Sequence, residues 1–259
     1  LHQVISSDQD PTVRFDGRED DYDRYRPGYP EEVVRLLRDR GILSAGTVVA
    51  DIGSGTGILT AMLLSQGAMV YAVEPNARMR SKAEARFKNE PRFVSVSAKA
   101  EETGLPDGSV DLVTAAQSFH WFEPLSCRRE FKRILRPGGS VMLVWNNRLE
   151  DQGDFNIAYQ RLLRDHYADD SRGMSDDELD RRIDHLFSGE FERIDFDNCQ
   201  HLDFEGLSGR LRSSSYCPRP DDPAFAPLMR DLETLFHAHQ SNETVSMLYR
   251  TEVYLGKLI

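Results

Sequence analysis

The sequence predicts an α/β protein whose core is a doubly wound, mostly parallel sheet. From residue 47 to residue 146, short apolar runs rich in β-branched residues alternate with segments in which apolar residues recur every three or four positions. Strands connected by crossover helices produce this alternation. The chain has 259 residues, 39% of them hydrophobic, and is long enough to bury a core on both faces of such a sheet.

Five strands are predicted in the first part of the sheet and two more near the end of the chain. They are "TVVADI" (47–52), "MVYAVE" (69–74), "RFVSVS" (92–97), "SVDLVTAA" (109–116), "SVMLVW" (140–145), and residues 191–198 and 243–258. A helix predicted from Ile58 ends near Gly67, and Asn76 is of a residue type that caps the next helix. The turn into the fifth strand is predicted at residues 137–139, which read Pro-Gly-Gly.

The chain is predicted to form one domain in four parts. Residues 15–41 contain a helix between Pro30 and Gly41 and are a candidate lid. Residues 42–147 hold the first five strands. Residues 148–189 are rich in Asp, Glu and Arg, which predicts inserted surface helices and a second lid element, and residues 190–259 complete the sheet around a helix at 225–239.

The composition opposes several classes of partner. Lys and Arg total 32 against 43 Asp and Glu, and the net charge of −11 disfavours nucleic acid and anionic membranes. No segment approaches the ~18 apolar residues of a membrane span, and the first apolar run is too short for a signal peptide. Three widely spaced cysteines indicate reduced thiols, and no histidine or cysteine grouping has metal-ligand spacing. We expect a cytoplasmic monomer or homodimer without a metal.

The stretch "VADIGSGTGI" (49–58) predicts a tight turn after the first strand. Gly53, Gly55 and Gly57 stand at alternate positions, where missing side chains let the backbone approach a ligand closely. A dinucleotide fingerprint needs a glycine at the sixth position, counted from Gly53, but this chain has Ile58 there. A phosphate loop would need a following Lys-Ser/Thr pair, which the chain does not have. A purely structural turn is the alternative interpretation.

An acidic residue, Glu74, ends the second strand about 20 residues beyond the glycines. A carboxylate in that position can accept hydrogen bonds from both hydroxyls of a ribose. The alternative is a solvated surface charge. Taken with the glycine turn, a ribose without a pyrophosphate indicates a nucleoside ligand.

Four successive motifs give a family resemblance. "VADIGSGTGILT", "VYAVEPNARM", "SVDLVTAAQSFHWF" and "RILRPGGSVMLVWNN" resemble, in this order, the motifs of class I S-adenosylmethionine-dependent methyltransferases. The resemblance covers roughly residues 47–147 and implies a Rossmann-like, seven-stranded fold with S-adenosylmethionine as cofactor. "YDRYRPGYP" (22–30) and "AQSFHWF" (116–122) resemble the small-molecule enzymes near the trans-aconitate methyltransferase type. The match fades beyond about residue 150, so the acceptor does not follow from the fold.

The resemblance implies a set of cofactor contacts around the glycine turn. These are Tyr22, Arg26, Asp51, Gly53, Ser54, Gly55, Gly57, Glu74, Pro75, Met79, Ala100, Glu101 and Gln117. By this resemblance, the turn lies under the methionyl end and Asp51 supports the turn or binds the cofactor amino group through water. Glu74 would hold the ribose and Gln117 the methionine end.

Adenine recognition departs from the common pattern of the family. By resemblance, Pro75 and Met79 flank the ring, although Met79 also fits the apolar stripe of its own helix. Many members have Asp-Ala-Glu after the third strand, where this chain has Lys99-Ala100-Glu101. A lysine cannot accept a hydrogen bond from the adenine amino group. Recognition is therefore expected from the Ala100 backbone and from Glu101.

The acceptor side is predicted from aromatic and basic residues. Arg26 is expected to pair with the cofactor carboxylate, with a surface arginine as the alternative, and Tyr22 and Tyr25 to close over the sulfonium. His120 follows a core strand and is the candidate base or acceptor-orienting group. Trp121 and Phe122 would line the acceptor pocket. Packing is the alternative role for all three residues of this His-Trp-Phe run.

The predicted activity is methyl transfer to a small molecule by in-line displacement. The fourth strand is not followed by the Asn/Asp-Pro-Pro-aromatic quartet of enzymes that methylate amino groups of DNA bases, which agrees with the acidic charge. One alternative is a non-catalytic regulatory protein that binds the same cofactor. Another is a nicotinamide-dependent oxidoreductase, which Ile58 at the sixth glycine position disfavours.

Overall fold

The computed structural model describes residues 19–167, 175–214 and 216–258. They fold into a seven-stranded sheet with helices on both faces. The strands are β1 (Val48–Ile52), β2 (Met69–Val73), β3 (Phe93–Val96), β4 (Val110–Ala116), β5 (Leu135–Arg148), β6 (Phe191–Leu202) and β7 (Val245–Gly256). Their order is β3-β2-β1-β4-β5-β7-β6. Strand β7 is antiparallel to β5 and β6, while the other pairs are parallel. The predicted mostly parallel, seven-stranded fold is therefore confirmed.

Helices follow most of the strands. They are α1 (Glu19–Tyr25), α2 (Glu31–Asp39), α3 (Ile58–Ser65), α4 (Ala77–Arg86), α5 (Pro124–Ile134), α6 (Asp154–His166), α7 (Asp176–Phe187), α8 (Phe204–Arg212) and α9 (Phe225–His239). The insert at 148–189 contains α6 and α7, as its composition predicted. Sequence patterns did not indicate α1, α5 and α8 as separate helices.

Alternate residues of β5 face opposite sides of the sheet and help to build two cores. Leu143 and Trp145 pack in the core that contains Phe131 of α5 and Phe187 of α7. On the other face, Val144 packs in the core that contains residues of α2 and α3. A third core joins α6, α8 and α9 to β7. The last third of the chain thus has its own apolar centre beside the sheet.

The beginning of β5 differs from the prediction. Residues 137–139 were expected to form a turn before the strand, but β5 already pairs at Leu135, which lies opposite Val110. The register shifts before Leu112 pairs with Ser140, so residues 136–139 form an irregularity within the strand. A side chain on Gly139 would come within 2.9 Å of the Asp111 carbonyl oxygen, and a glycine at this position allows the backbones to approach.

Asn76→Ala is expected to destabilise the protein through helix α4. The Asn76 side chain accepts hydrogen bonds from the backbone N–H groups of Arg78 (2.9 Å) and Met79 (3.0 Å), which confirms the predicted cap. Its loss should lower the free energy of unfolding by about 1 kcal/mol, measured by urea titration. Asn89→Ala, at an exposed residue beyond the same helix, is the control. Equal stability of the two variants would show that the cap contributes nothing.

Candidate functional site

Three glycines at alternate positions give the turn after β1 its shape. Gly53, Gly55 and Gly57 have φ angles of 66°, 58° and 86°, a region that other residue types rarely adopt. The N–H groups of Gly53 and Ser54 donate to the Val73 carbonyl at 2.8 and 3.2 Å. The turn is therefore held against the end of β2.

The three glycines face different surroundings. A Cβ atom on Gly53 would lie 2.6 Å from Cβ of Ser118, and one on Gly57 would lie 2.5 Å from the Phe87 ring. A Cβ atom on Gly55 would have no described atom within 4 Å. Packing thus requires glycine at two of the positions, while Gly55 leaves the backbone open to the space above the sheet.

Glu74 joins this turn to the start of helix α4. Its Oε2 accepts from the N–H of Gly55 at 2.9 Å, and its Oε1 accepts from the N–H of Asn76 at 2.8 Å. Burial raises the pKa of Glu74, and the two backbone hydrogen bonds oppose that effect. Each carboxylate oxygen keeps further acceptor capacity. The residue predicted to hold a ribose is therefore a fixed acceptor pair at the carboxyl edge of the sheet.

Asp51 lies under the turn and contacts side chains of the protein. Its carboxylate accepts from Oγ1 of Thr60 in α3 at 2.6 Å and from Oγ1 of Thr114 in β4 at 2.9 Å. It is 1% exposed, and burial raises its pKa to about 6. These contacts brace β1 against α3 and β4.

Two buried hydroxyls of the turn have no hydrogen-bond partner among the described residues, Oγ of Ser54 and Oγ1 of Thr56. Both residues line a cavity of about 30 Å³ over the turn, which Tyr29, Ile58, Leu59 and Ala116 also line. Buried polar groups without partners are uncommon in native proteins and are candidates for contact with a ligand. Tyr29 was missed as an individual site residue, although it belongs to the "YRPGYP" motif.

The predicted adenine contacts lie near the ends of β2 and β3. Met79 and Ala100 are both buried, and Pro75 is half-buried. Oε1 of Glu101 accepts from the N–H of Glu123 at 2.8 Å, so this side chain links the loop after β3 to the start of α5. Lys99 is exposed.

Gln117 stands at the end of β4 in a strained conformation. Its φ of 54° lies in the left-handed region, which is uncommon for residues other than glycine. Its N–H donates to the Val144 carbonyl at 2.9 Å, and its Nε2 donates to the Asn146 carbonyl at 3.2 Å. Strain of this kind persists where the surroundings hold it, and it clusters at functional sites.

The His-Trp-Phe run begins in a 3₁₀ turn, Phe119–Trp121, directly after Gln117 and Ser118. The rings of His120 and Trp121 are partly exposed and lie 4.7 Å apart between centroids. Phe122 is buried beside Gly53, and its carbonyl accepts from the guanidinium of Arg182 in α7. The run therefore connects the glycine turn to the inserted helices.

The amino-terminal segment is docked on α8 and β6. The hydroxyl of Tyr25 donates to Glu205 at 2.8 Å, and Gln200 Nε2 donates to the Tyr25 carbonyl at 2.9 Å. Arg26 donates to the hydroxyl and carbonyl oxygens of Ser213 at 3.2 and 2.9 Å. The side chain of Tyr22 lies outside the described residues. Tyr25 and Arg26 thus reach the carboxyl edge of the sheet from the side of α8.

Helix α1 extends across this edge from α4 to α8. Asp20 pairs with Lys82 of α4, and Asp21 pairs with Arg212 of α8 at 3.0 Å. Arg24 pairs with Glu205 at 3.2 Å. The helix therefore lies beside the site that the glycine turn, Glu74 and Gln117 define.

Comparison with known proteins identifies the family. The family described as "Methyltransferase domain" matches residues 50–143. A methyltransferase of Geobacillus sp. (strain WCH70) is 30% identical over 168 residues, which cover 60% of this chain and 78% of that protein. The chain belongs to the class I S-adenosylmethionine-dependent methyltransferases. Residues 50–143 include the glycine turn, Glu74 and His120.

The chain is also similar to one further protein and, in its fold, to a solved structure. A Mycobacterium tuberculosis (strain H37Rv) protein, an uncharacterised methyltransferase, is 40% identical over 150 residues, which cover 58% of this chain and 59% of that protein. The matched part therefore spans less than two thirds of that relative. A structure from Anaeromyxobacter dehalogenans, provisionally assigned as a type II methyltransferase, has a TM-score of 0.69 at 22% identity, over 90% of this chain and 98% of that one.

Neither a membrane-spanning helix nor a metal centre is found in the described parts of this chain. No helix among the described residues is long and apolar enough to cross a bilayer. Within the same ranges, no group of three or more His, Cys, Asp or Glu side chains is arranged to hold a metal ion.

Asp51→Asn is expected to remove the pH-dependent cost of burying the Asp51 carboxylate. Between its ordinary pKa of 3.8 and its folded value of about 6, the folded state holds a proton that the unfolded state has released. The stability that this proton gives the folded state is fully present below pH 3.8 and is lost as the pH rises through about 6. From pH 5 to pH 7, the wild type should lose about 1 kcal/mol of stability relative to Asp51→Asn, measured by urea unfolding. A stability difference that does not change with pH would contradict this assignment.

Proposed function

We propose that this chain transfers the methyl group of S-adenosylmethionine to a small-molecule acceptor. The observation that carries the proposal is the Glu74 carboxylate, fixed by the N–H groups of Gly55 and Asn76 beside an open glycine backbone. A carboxylate in this position suits two ribose hydroxyls, and the turn has no side chain at Gly55 to exclude the rest of a nucleoside. Family membership supports the same cofactor.

Other residues around the turn fit this cofactor. Ser54 and Thr56 offer buried hydroxyls without a described protein partner, close to the backbone that would lie under the methionyl end. Gln117 stands at the end of the neighbouring strand to contact the methionine group. Adenine would lie near the strand ends, beside Pro75, Met79 and the Ala100 backbone. The Glu101 carboxylate would contact it while also accepting from the Glu123 N–H.

The chemistry requires mainly positioning by the protein. When bound, S-adenosylmethionine supplies an already activated methyl group on a sulfonium. The turn and Gln117 would fix that end, while Trp121 and Phe122 would restrict the approach of the acceptor to the line of displacement. His120 would remove the proton of a hydroxyl or amine acceptor, and a carboxylate acceptor would need no base. The partly exposed His120 ring can exchange such a proton with water.

The amino-terminal segment is proposed to act as a lid with the inserted helices. The cavity over the turn, about 30 Å³, is far smaller than a nucleoside, and Tyr29 forms part of its wall. Entry of the cofactor therefore requires the segment that carries Tyr29 to move. Tyr22, Tyr25 and Arg26 belong to the same segment, and Arg26 would exchange its bonds with Ser213 for the cofactor carboxylate. Closure would then exclude water from the site.

A small acceptor is favoured over nucleic acid by the charge of the chain. The net charge of −11 repels a polyphosphate, and binding to one would need a basic surface to release its counterions. We therefore propose a small acceptor that the lid can enclose.

Glu74→Gln and Glu74→Ala are expected to weaken binding of S-adenosylhomocysteine by roughly 1–3 kcal/mol, because hydrogen bonds to a carboxylate are lost. Isothermal titration calorimetry measures the change. Glu233→Gln, at an exposed residue of α9, is the control and should bind like the wild type. Unchanged affinity in both Glu74 variants would remove this residue from the site. A folded wild type that binds neither the cofactor nor its demethylated product would overturn the proposed function.

His120→Ala is expected to lower turnover by about 100-fold or more while leaving the affinity for S-adenosylhomocysteine unchanged, because it removes a base and not a cofactor contact. The measurement is release of S-adenosylhomocysteine with pooled hydroxyl, amine and carboxylate acceptors. His237→Ala, at an exposed residue of α9, is the control. Equal turnover in all three proteins would make His120 a packing residue. Cofactor binding without turnover on any pool would favour a regulatory binding protein.

A further inference from the structure

A buried arginine lies in the third core without an acidic partner. Arg210 of α8 is 8% exposed and donates to the Tyr249 hydroxyl at 3.1 Å and to Oγ of Ser214 at 3.0 Å. The ionisable groups that face it in the described structure are the phenols of Tyr159, Tyr216 and Tyr249. No described carboxylate pairs with it. Burying a guanidinium without a counter-charge is costly, so an anion at this place would be bound strongly.

A second arginine, Arg148, lies at the carboxyl end of β5 near the same tyrosines. Its guanidinium carbon is 4.8 Å from the centroid of the Tyr159 ring. It donates to Gln160 and lies 3.3 Å from Glu150, whose side chain is 57% exposed. Its Nε is buried and has no hydrogen-bond partner among the described residues. The one described carboxylate paired with Arg148 is thus mostly in solvent and offsets little of the charge inside.

The positive charge of these two arginines acts on the phenol of Tyr216. Burial raises the pKa of its phenol, but Arg210, Arg148 and Arg26, with a hydrogen bond from Ser214, lower it by more. The Tyr167 ring lies against it, 5.3 Å away between centroids. Three guanidinium groups therefore lower the pKa of one phenol in a protein whose net charge is −11. Among the described residues, Glu150 at the exposed edge is the carboxylate paired with this cationic cluster, so an anion bound inside it would supply the missing counter-charge.

The cluster is next to the proposed methyl-transfer site. Arg148 lies two residues beyond Asn146, whose carbonyl accepts from Gln117. Arg26 belongs to the segment that docks over the carboxyl edge of the sheet. In open α/β sheets, substrates bind outside the carboxyl ends of the strands. The arginines are therefore on the side where an acceptor would extend away from the glycine turn.

We propose that Arg148 and Arg210 bind an anionic group of the methyl acceptor, a carboxylate or a phosphate, at a distance from its reacting atom. The inference rests on the proposed function, because it assigns one end of the acceptor of that reaction. Arginine is suited to the role, since its planar fork forms two parallel hydrogen bonds with either group. Tyr216 would donate a further hydrogen bond to the anion.

The test uses succinate and inorganic phosphate as probes on the full chain, with succinamide as the neutral match. Binding is measured from the thermal unfolding midpoint at constant ionic strength, with saturating S-adenosylhomocysteine. The wild type is expected to bind succinate or phosphate and not succinamide. Arg148→Gln and Arg210→Gln should weaken that binding at least about tenfold. Arg161→Gln, at an exposed residue of α6, is the matched control and should bind like the wild type.

Arg210→Lys tests whether a loss of binding comes from misfolding, because this variant keeps the buried positive charge and removes only the planar guanidinium. Its affinity for the preferred anion should fall, but by less than in Arg210→Gln. Preference for succinate identifies a carboxylate acceptor, and preference for phosphate a phosphorylated one. Anion binding that is equal in all variants, or absent from protein that binds S-adenosylhomocysteine, overturns the inference and leaves the proposed function standing. Loss of S-adenosylhomocysteine binding in the wild type overturns the proposed function instead.

Discussion

The bridge that Glu74 makes between two backbone N–H groups determines the geometry of the whole site. One N–H belongs to Gly55 in the turn after β1, and the other belongs to Asn76 at the start of α4. The carboxylate therefore ties two neighbouring strand ends together and is oriented by the backbone. Burial makes the ionised form costly, and the two amides offset that cost. Both carboxylate oxygens can accept further hydrogen bonds, and their positions are fixed. Two adjacent hydroxyls of a ligand need acceptors that are fixed in this way.

The same turn couples the proposed cofactor and acceptor sides through contact. Gly53 is packed so closely against Ser118 that a Cβ atom would lie 2.6 Å away, and Oγ of Ser118 donates to the Ile52 carbonyl at 2.9 Å. Phe122 closes the other side of Gly53 and is held by Arg182 of α7. A shift of the turn would therefore move the His-Trp-Phe run and the inserted helix with it. Close packing of this kind transmits displacement, because there is little free volume to absorb it.

Local patterns predicted the parts of the molecule that local interactions stabilise. The strands, the Asn76 cap and the helix at 225–239 follow from hydrophobic periodicity and capping chemistry. Helix α5 was missed because its cap is Glu123, a residue type that seldom caps a helix. The contacts of Tyr25 and Arg26 join residues 180 and 187 positions apart. Such pairs depend on how α8 packs, which spacing along the chain does not encode.

The contacts of the amino-terminal segment indicate where the proposed lid would open. At α1 the segment is held by exposed ion pairs such as Arg24–Glu205, whose side chains are 69% and 64% exposed, and by the buried Tyr25 ring, which packs on α8 at Gly209. Exposed ion pairs contribute little stability. Further along, the Gly28 carbonyl accepts from the side chains of both Asn146 and Asn198, and α2 is anchored by buried apolar residues. The exposed ion pairs at α1 are the weaker contacts, so opening of the proposed lid would begin there, and movement of Tyr29 would also require the two hydrogen bonds to the Gly28 carbonyl to break. Tyr25, expected to close over the sulfonium, and Arg26, expected to pair with the cofactor carboxylate, would both move with this proposed lid.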